Sequence, residues 1–312
     1  MSCFFSVVIP LYNKENYILN TLKSVLNQSF QDFEIIIVDD GSTDKSLDLI
    51  RSFKTEKIQL IKQNNQGASI TRNNGINAAK GNYIATLDAD DIWQPNHLEA
   101  LKLCIESCEN AVLFCTNYQI KRNKDLTTPA VFNFEYDKDC LIIDDFFKAN
   151  IINFIPTSSS VAFKKEAFLN LEGYNTKLRT GQDIDLWIKF GLLGTIAFNP
   201  KITMTYNLFD ASSLSNSDYN TDRYQLITNY TEEEKQNASL KLYLDINRYA
   251  LAIRYKLQGN SKNFNKIKKE IDLNNLNFKQ KLLLNTPKRM LLTLKKFQQV
   301  LIKNKVYLSA FR

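Results

Sequence analysis

Asn82-Tyr83-Ile84-Ala85-Thr86-Leu87-Asp88-Ala89-Asp90-Asp91 is the stretch on which the fold turns. Asn82 to Leu87 reads as a buried strand, with Gly81 as its entry break. Trp93-Gln94-Pro95 stops that strand, and Asn96 can cap a helix that starts near His97. Three carboxylates therefore fall at the C-terminal end of a strand, the edge of an open α/β sheet where ligands bind. Three unpaired acids there would repel one another and raise their own pKa values. A divalent cation removes that cost, and carboxylate oxygens suit Mg2+ or Mn2+, which keep open positions for phosphates. The bland alternative is a solvated acidic turn capping the next helix.

Working outward, Phe4-Phe5-Ser6-Val7-Val8-Ile9 is a compact apolar run expected as the first buried strand, ended by Pro10. Ile18, Leu22, Val25 and Leu26 share one face of a helix expected over 14–28. A second strand, 33–38, runs into Asp39-Asp40-Gly41-Ser42-Thr43-Asp44, where the glycine permits a tight turn and a polar residue caps a helix to about 53. A third strand is expected over 58–61 and a helix over 69–79. Strands alternating with helices at short spacing indicate a doubly wound, mostly parallel α/β sheet. No G-x-G-x-x-G follows the first strand and no G-x-x-x-x-G-K-[ST] occurs, which argues against a Rossmann oxidoreductase and a P-loop nucleotidase.

Downstream, strands are expected over 112–118, 161–163 and 202–206, short helices over 144–150 and from 165, and an irregular loop or short hairpin over 121–139. In Gly181-Gln182-Asp183-Ile184-Asp185-Leu186-Trp187, the spacing of Ile184, Trp187, Ile188 and Leu192 is helical. Asp183 then lies in a first helical turn, where the helix dipole favours a carboxylate, for chemistry or for capping alone.

The bulk numbers set bounds. At 312 residues, with 44% hydrophobic and 12% aromatic content, the chain can form one large domain and a smaller appendage. A net charge of +7 does not by itself imply nucleic acid, and none is expected as a partner. Five cysteines without a C-x-x-C pair suit a reducing compartment. The apolar start is too short and lacks the basic leader of a signal peptide, and no apolar run reaches membrane-spanning length. A cytoplasmic protein is expected, with association at a membrane surface left open.

Taken together, Val8-Ile9-Pro10-Leu11-Tyr12-Asn13, Val38-Asp39-Asp40-Gly41-Ser42-Thr43-Asp44, Asn73-Asn74-Gly75-Ile76-Asn77-Ala78-Ala79-Lys80-Gly81, Leu87-Asp88-Ala89-Asp90-Asp91 and Gly181-Gln182-Asp183-Ile184-Asp185-Leu186-Trp187 resemble the motifs of the family-2 glycosyltransferases. Each is weak alone, but their order and spacing over about 4–210 match. The resemblance implies a GT-A fold, a nucleotide-sugar donor, a divalent metal (Mn2+ or Mg2+) and inversion at the transferred sugar carbon. It also implies that Pro10, Tyr12 and Asn13 line the nucleotide pocket, with Tyr12 stacking on the base. Asp40 would accept a hydrogen bond from the base, as in uracil recognition. Arg72 could meet the diphosphate, or be a solvated arginine. Asp88 would approach the ribose or metal. Asp90, with Asp91, would hold the metal, and Asp183 would be the catalytic base. Gln182 departs from the glutamate common in relatives and cannot act as a base. His97, the only histidine, is expected at the surface or as a cap, with metal ligation the lesser reading.

The acceptor expected is a glycan or lipid-linked glycan, in surface polysaccharide or glycan synthesis. Its identity and that of the sugar would depend on loops at about 121–160 and 205–225. A nucleotidyltransferase would need a basic glycine-rich loop near the first strand, which Pro10-Leu11-Tyr12-Asn13 is not. A non-catalytic scaffold that binds nucleotide-sugar or glycan is the alternative, supported only by Gln182.

The division expected is a nucleotide-sugar transferase domain over 1–225 and a helical, basic extension over 226–312. Helices are expected over 240–257 and 264–271, broken at Gly259-Asn260. From Asn277 to Arg312 there are nine Lys or Arg and no acid. Leu291, Leu292, Leu294, Phe297, Val300, Leu301 and Val306 form one side of a basic amphipathic helix. It suits an anionic membrane surface, or a place against the core with its lysines in water.

Overall fold

A computed structural model describes residues 3–208 and 219–303. Ten strands form one sheet: β1 Phe5–Leu11, β2 Phe33–Asp39, β3 Ile58–Lys62, β4 Tyr83–Thr86, β5 Ile92–Trp93, β6 Leu113–Lys121, β7 Thr127–Pro129, β8 Leu141–Ile142, β9 Val161–Lys164 and β10 Ile196–Asn207. Their order is β3-β2-β1-β4-β9-β6-β10-β5, with β7 on β6 and β8 on β10. The β1, β2, β3 and β4 pairings are parallel, as is β6 with β10. Because β9 runs antiparallel to both β4 and β6, those two point the same way. The C-terminal ends of β1, β2, β4, β6 and β10 therefore share one edge, and the acid-rich turn after β4 lies on it.

The helices are α1 Ile18–Leu26, α2 Ser46–Arg51, α3 Ala68–Ala78, α4 His97–Ser107, α5 Phe146–Ala149, α6 Lys165–Asn170, α7 Gln182–Leu193, α8 Asn220–Thr228, α9 Glu233–Gln236, α10 Ala238–Gln258, α11 Ser261–Glu270, α12 Phe278–Asn285 and α13 Lys288–Lys303. The seven expected strands are present, and 121–139 contains a short hairpin, β6 with β7, but the last strand starts at Ile196 rather than 202, and β5 and β8 are additions, with Trp93 inside a strand instead of stopping one. The first helix starts four residues later than periodicity suggests, because Lys14 O closes a turn with Tyr17 N and Ile18 N. Two glycines are there for space. A Cβ on Gly75 of α3 would come within 2.5 Å of Val8 Cγ1, and one on Gly81 within 2.6 Å of Ser6 N. Gly81 thus admits the backbone of β1 rather than simply breaking the chain before β4.

Beyond residue 225 the chain adds to the sheet's own core. Leu226, Ile227, Tyr230, Leu240 and Leu244 belong to the same buried cluster as β1 and β4. The division expected at 225/226 falls inside α8. Within the extension, Arg248 pairs with Glu234 and Asp245 at 2.8 and 2.9 Å, and Asp245 also takes Lys241. That buried network ties α9 to α10. Val306 and 209–218, part of the 205–225 loop, lie outside the described residues.

His97 corrects its expectation. It is fully buried, stacked on Trp93 at 4.2 Å, and its Nδ1 lies 2.8 Å from Thr203 Oγ1. Burial pushes its pKa down to about 3. Its unfolded value lies near 6.5, so the unfolded chain binds the proton first and stability falls as pH drops below about 6.5. Between pH 7 and pH 5 this one group should remove about 2 kcal/mol. Urea unfolding of the natural chain and of His97→Leu at both pH values checks this. An equal acid loss in both would assign the effect elsewhere.

Candidate active site

The turn after β4 is pinned from three sides. Leu87 N donates to Val8 O, Asp88 N donates to Ser159 Oγ, and the Thr21 hydroxyl lies 3.0 Å from both Ala89 O and Asp91 O. The three acids then take separate partners. Arg72 Nη2 meets Asp88 Oδ1 at 2.5 Å, Lys14 Nζ meets Asp90 Oδ2 at 2.8 Å, and Asn207 N donates to Asp91 Oδ1 at 2.7 Å. Asp88 and Asp90 keep some exposure, 29% and 16% of their side chains.

Asp91 stands differently from the expectation that it shares a metal with Asp90. It is 1% exposed, so it has no open side toward a phosphate-bearing ligand. Burial, then repulsion from Asp90 and Asp88, pushes its carboxyl well above the usual range, which favours the neutral acid. Its visible work is to hold the end of β10 against the turn.

Arg72 is not a solvated arginine. It is 6% exposed, and its guanidinium lies 5.5 Å from the Tyr174 ring centre. Asn73 sets that ring in place, because its amide accepts from Tyr174 N and donates to Tyr174 O. Arg72 Nε and Nη1 are buried and make no hydrogen bond among the described residues. A buried donor left so costs about 1–3 kcal/mol, and a ligand oxygen arriving there removes that cost.

Asp183 lies in the first turn of α7, half-buried, after Gly181 in the left-handed region (φ 79). Gly181 is the N-cap, with no side-chain cap bond, and Asp183 Oδ1 accepts from Ile184 N at 2.9 Å. Ile184 N is one of the first-turn donors of α7 without an intrahelical partner, so this bond is a capping one and stands beside any catalytic role. Burial pushes its carboxyl up, and the Arg72 guanidinium pulls it back. Arg72 thus acts on both Asp88 and Asp183, bringing α3, β4 and α7 to one point. Asp185 is committed elsewhere, with Tyr230 OH donating to its Oδ1 and Lys189 Nζ 3.2 Å from its Oδ2. Gln182 is buried, and its Oε1 has no hydrogen-bond partner among the described residues.

The loops after β1 and β2 form the neighbouring part of the edge. Asn13, at φ 51, accepts from Thr43 N, while its own N–H donates to Ser42 Oγ. Pro10 is half-buried, and Tyr12 is 47% exposed. Asp40 is buried and works within the protein: its Oδ1 accepts from Gln63 Nε2 and Gln66 N, and its Oδ2 from Gly67 N. Of about four lone-pair sites on a carboxylate, that leaves one for a ligand. Asn74 extends the chain by donating to Gln63 Oε1.

Tyr206 lies close enough to feel all four acids, a placement that sequence reading missed. It is half-buried, and burial followed by Asp91, Asp88, Asp183 and Asp90 raises its hydroxyl pKa. The pairing of Met204 and Thr205 with Trp93 and Ile92, together with the Asn207 bond to Asp91, brings this strand end among the acids. A tyrosine closing a strand carries no local signal of that.

Among the described residues, no three His, Cys, Asp or Glu side chains form a ready metal cluster. The donor set still fits a hard cation. Mg2+ is commonly bound by one or two carboxylates together with substrate phosphates, which Asp88 and Asp90 can match. The Lys14 ammonium resting on Asp90 shows that this carboxylate attracts a positive charge.

Comparison with known proteins places this arrangement. The family model described as Glycosyl transferase family 2 matches residues 6–170. The putative teichuronic acid biosynthesis glycosyltransferase TuaG of Bacillus subtilis is 32% identical over 216 residues, covering 68% of this chain and 81% of TuaG. Against several other curated relatives, the chain spans only 27% to 31% of their length. In fold it resembles S. aureus TarS 1-349 in complex with UDP-GlcNAc (TM-score 0.62, 18% identity, 78% of this chain and 72% of that one). It also resembles the Pyrobaculum calidifontis mannosyltransferase PcManGT in complex with GDP-Man and Mn2+ (TM-score 0.57, 18% identity, 80% and 72%). The architecture is the GT-A fold that the motifs imply, with a helical C-terminal region.

Proposed function

This chain belongs to glycosyl transferase family 2 and is a glycosyltransferase, and from that premise we propose that it moves a sugar from a UDP-sugar to a saccharide or lipid-linked saccharide, with inversion at the sugar carbon. The observation that carries the reading is the convergence of Asp88, Asp90, Arg72 and Asp183 on one sheet edge. Tyr12 and Asn13 would offer the base a rim, and Asp40, seated beneath Gln63, Gln66 and Gly67, would need a small opening of that loop to accept from the base N–H. Arg72 Nε and Nη1 donate to the diphosphate. Asp90, with Asp88, would hold Mn2+ or Mg2+, which as a Lewis acid offsets the charge growing on the leaving nucleoside diphosphate. Asp183 takes the acceptor hydroxyl proton as that oxygen attacks the sugar carbon. Attack from the face opposite the leaving group inverts the centre.

The TuaG likeness supports a role in polysaccharide synthesis, and because fold neighbours hold UDP-GlcNAc in one case and GDP-Man in another, the donor panel spans both nucleotides. We assign catalysis to 1–225 and a supporting role to 226–312, because Tyr230 holds Asp185 on the catalytic helix α7. Five cysteines, an odd count with no C-x-x-C pair, suit the cytoplasmic setting we propose. Incubation with Mn2+ and a panel of UDP-sugars and GDP-mannose tests the reading. UDP release from at least one donor is expected, accelerated by a saccharide acceptor. Donor binding without release from any of them would support a scaffold instead.

A further inference from the structure

The two last helices leave apolar surface uncovered in a strongly basic stretch. On α13, Met290, Leu294 and Phe297 recur at i, i+4 and i+7 and are 57%, 40% and 57% exposed. On α12, Phe278 and Leu282 recur at i and i+4 and are also exposed. Among the described side chains of α13 only Leu291 is buried, and α13 packs against α10. Lys288, Arg289, Lys295 and Lys296 lie in water, and no acid occurs from Asn277 onward. An acid-free basic helix with an open apolar stripe complements a surface that is both anionic and oily.

The position of this helix adds a second argument. Asn123, just past the end of β6, donates to Ile302 O near the end of α13, at 3.5 Å. The end of β6 lies on the same sheet edge as Asp88 and Asp90. The helix therefore reaches the catalytic edge instead of the opposite side of the sheet. Sixteen residues give about 24 Å of helix, and no described helix is long and apolar enough to cross a membrane.

We infer that α12 and α13 dock on an anionic lipid bilayer, with α13 lying in the interface plane and the catalytic edge held beside the headgroups. Exposed apolar side chains enter the acyl boundary, and the lysines meet the lipid phosphates. The inference goes beyond the transferase reading and does not depend on the donor or the base.

Co-sedimentation of the full chain with phosphatidylcholine vesicles, with and without 30% phosphatidylglycerol, tests it. Binding is expected to the anionic vesicles only, weakening steeply between 50 and 500 mM salt. Lys295→Gln with Lys296→Gln should weaken it about 25-fold, near fivefold per charge. Leu294→Ser with Phe297→Ser should weaken it at least tenfold. Thermal unfolding and UDP release without vesicles should match the natural chain in both variants, because these side chains are exposed. Equal sedimentation of variants and natural chain would overturn the inference. So would a lipid-free dimer, seen by analytical ultracentrifugation, that Leu294→Ser with Phe297→Ser converts to monomer, because the stripe's occupant would then be a second copy. A failure here with intact UDP release leaves the transferase reading untouched.

Discussion

Asp183→Asn is expected to lower turnover by roughly 10²–10⁴ at saturating substrates, the usual contribution of a positioned general base. The substitution keeps the size of the side chain and an oxygen able to accept from Ile184 N, so α7 should survive it. It removes only proton acceptance. Donor affinity should stay within about threefold, because the donor contacts lie on the loops after β1 and β2, on Arg72 and on the turn after β4, and the substitution leaves all of these in place. The pH profile gives an independent readout. The base must be ionised, and burial raises the Asp183 carboxyl. Activity of the natural enzyme should therefore fade as pH drops through a value above the usual aspartate pKa of about 3.9. That acid limb should be absent from the residual activity of Asp183→Asn. Near-normal transfer by the variant would remove Asp183 from the role. Asp185 could not replace it, being 2% exposed and held by Tyr230 and Lys189.

Asp90→Ala should abolish metal-dependent turnover, with a loss of about 10³-fold or more, since a Lewis acid on a diphosphate supplies several kcal/mol. Donor binding should weaken as well, because the cation joins protein to phosphates. Calorimetric titration of Mn2+ in the presence of UDP separates this from general damage: the heat seen with the natural chain should vanish in the variant. Asp90→Asn, which keeps the side chain's size beside Lys14, should show the same loss and guards against misfolding. Full turnover by the natural enzyme in excess chelator would defeat the metal assignment, whatever the variant does.

The two substitutions also probe how the acids divide their work. Three carboxylates in four residues look interchangeable in a linear reading. The structure gives Asp88 to a buried arginine, Asp90 to a lysine and Asp91 to a backbone amide. Asp91→Asn should therefore affect stability more than metal affinity, the reverse of Asp90→Asn.

The sequence by itself determined the main strands, their alternation with helices, and the edge on which the acids fall; the short β5 and β8 and the start of β10 depend on pairing with distant strands. The former follow from local rules: apolar runs, turn glycines and helical spacing are visible within a dozen residues. It also put forward Asp88, Asp90 and Asp183 as site candidates, because motifs in order and spacing carry them. Tertiary structure alone decided what surrounds those residues. Arg72 and Asp183 are 111 positions apart, and only the packing of α3 and α7 around β4 brings them together. The seating of Asp40 under the 63–67 loop, the burial of His97 and the place of Tyr206 depend on contacts between distant segments. Burial and partnership are properties of such contacts, and no local pattern encodes them. For that reason the chain's chemistry could be read along the sequence, while the assignment of each acid to its partner required the fold.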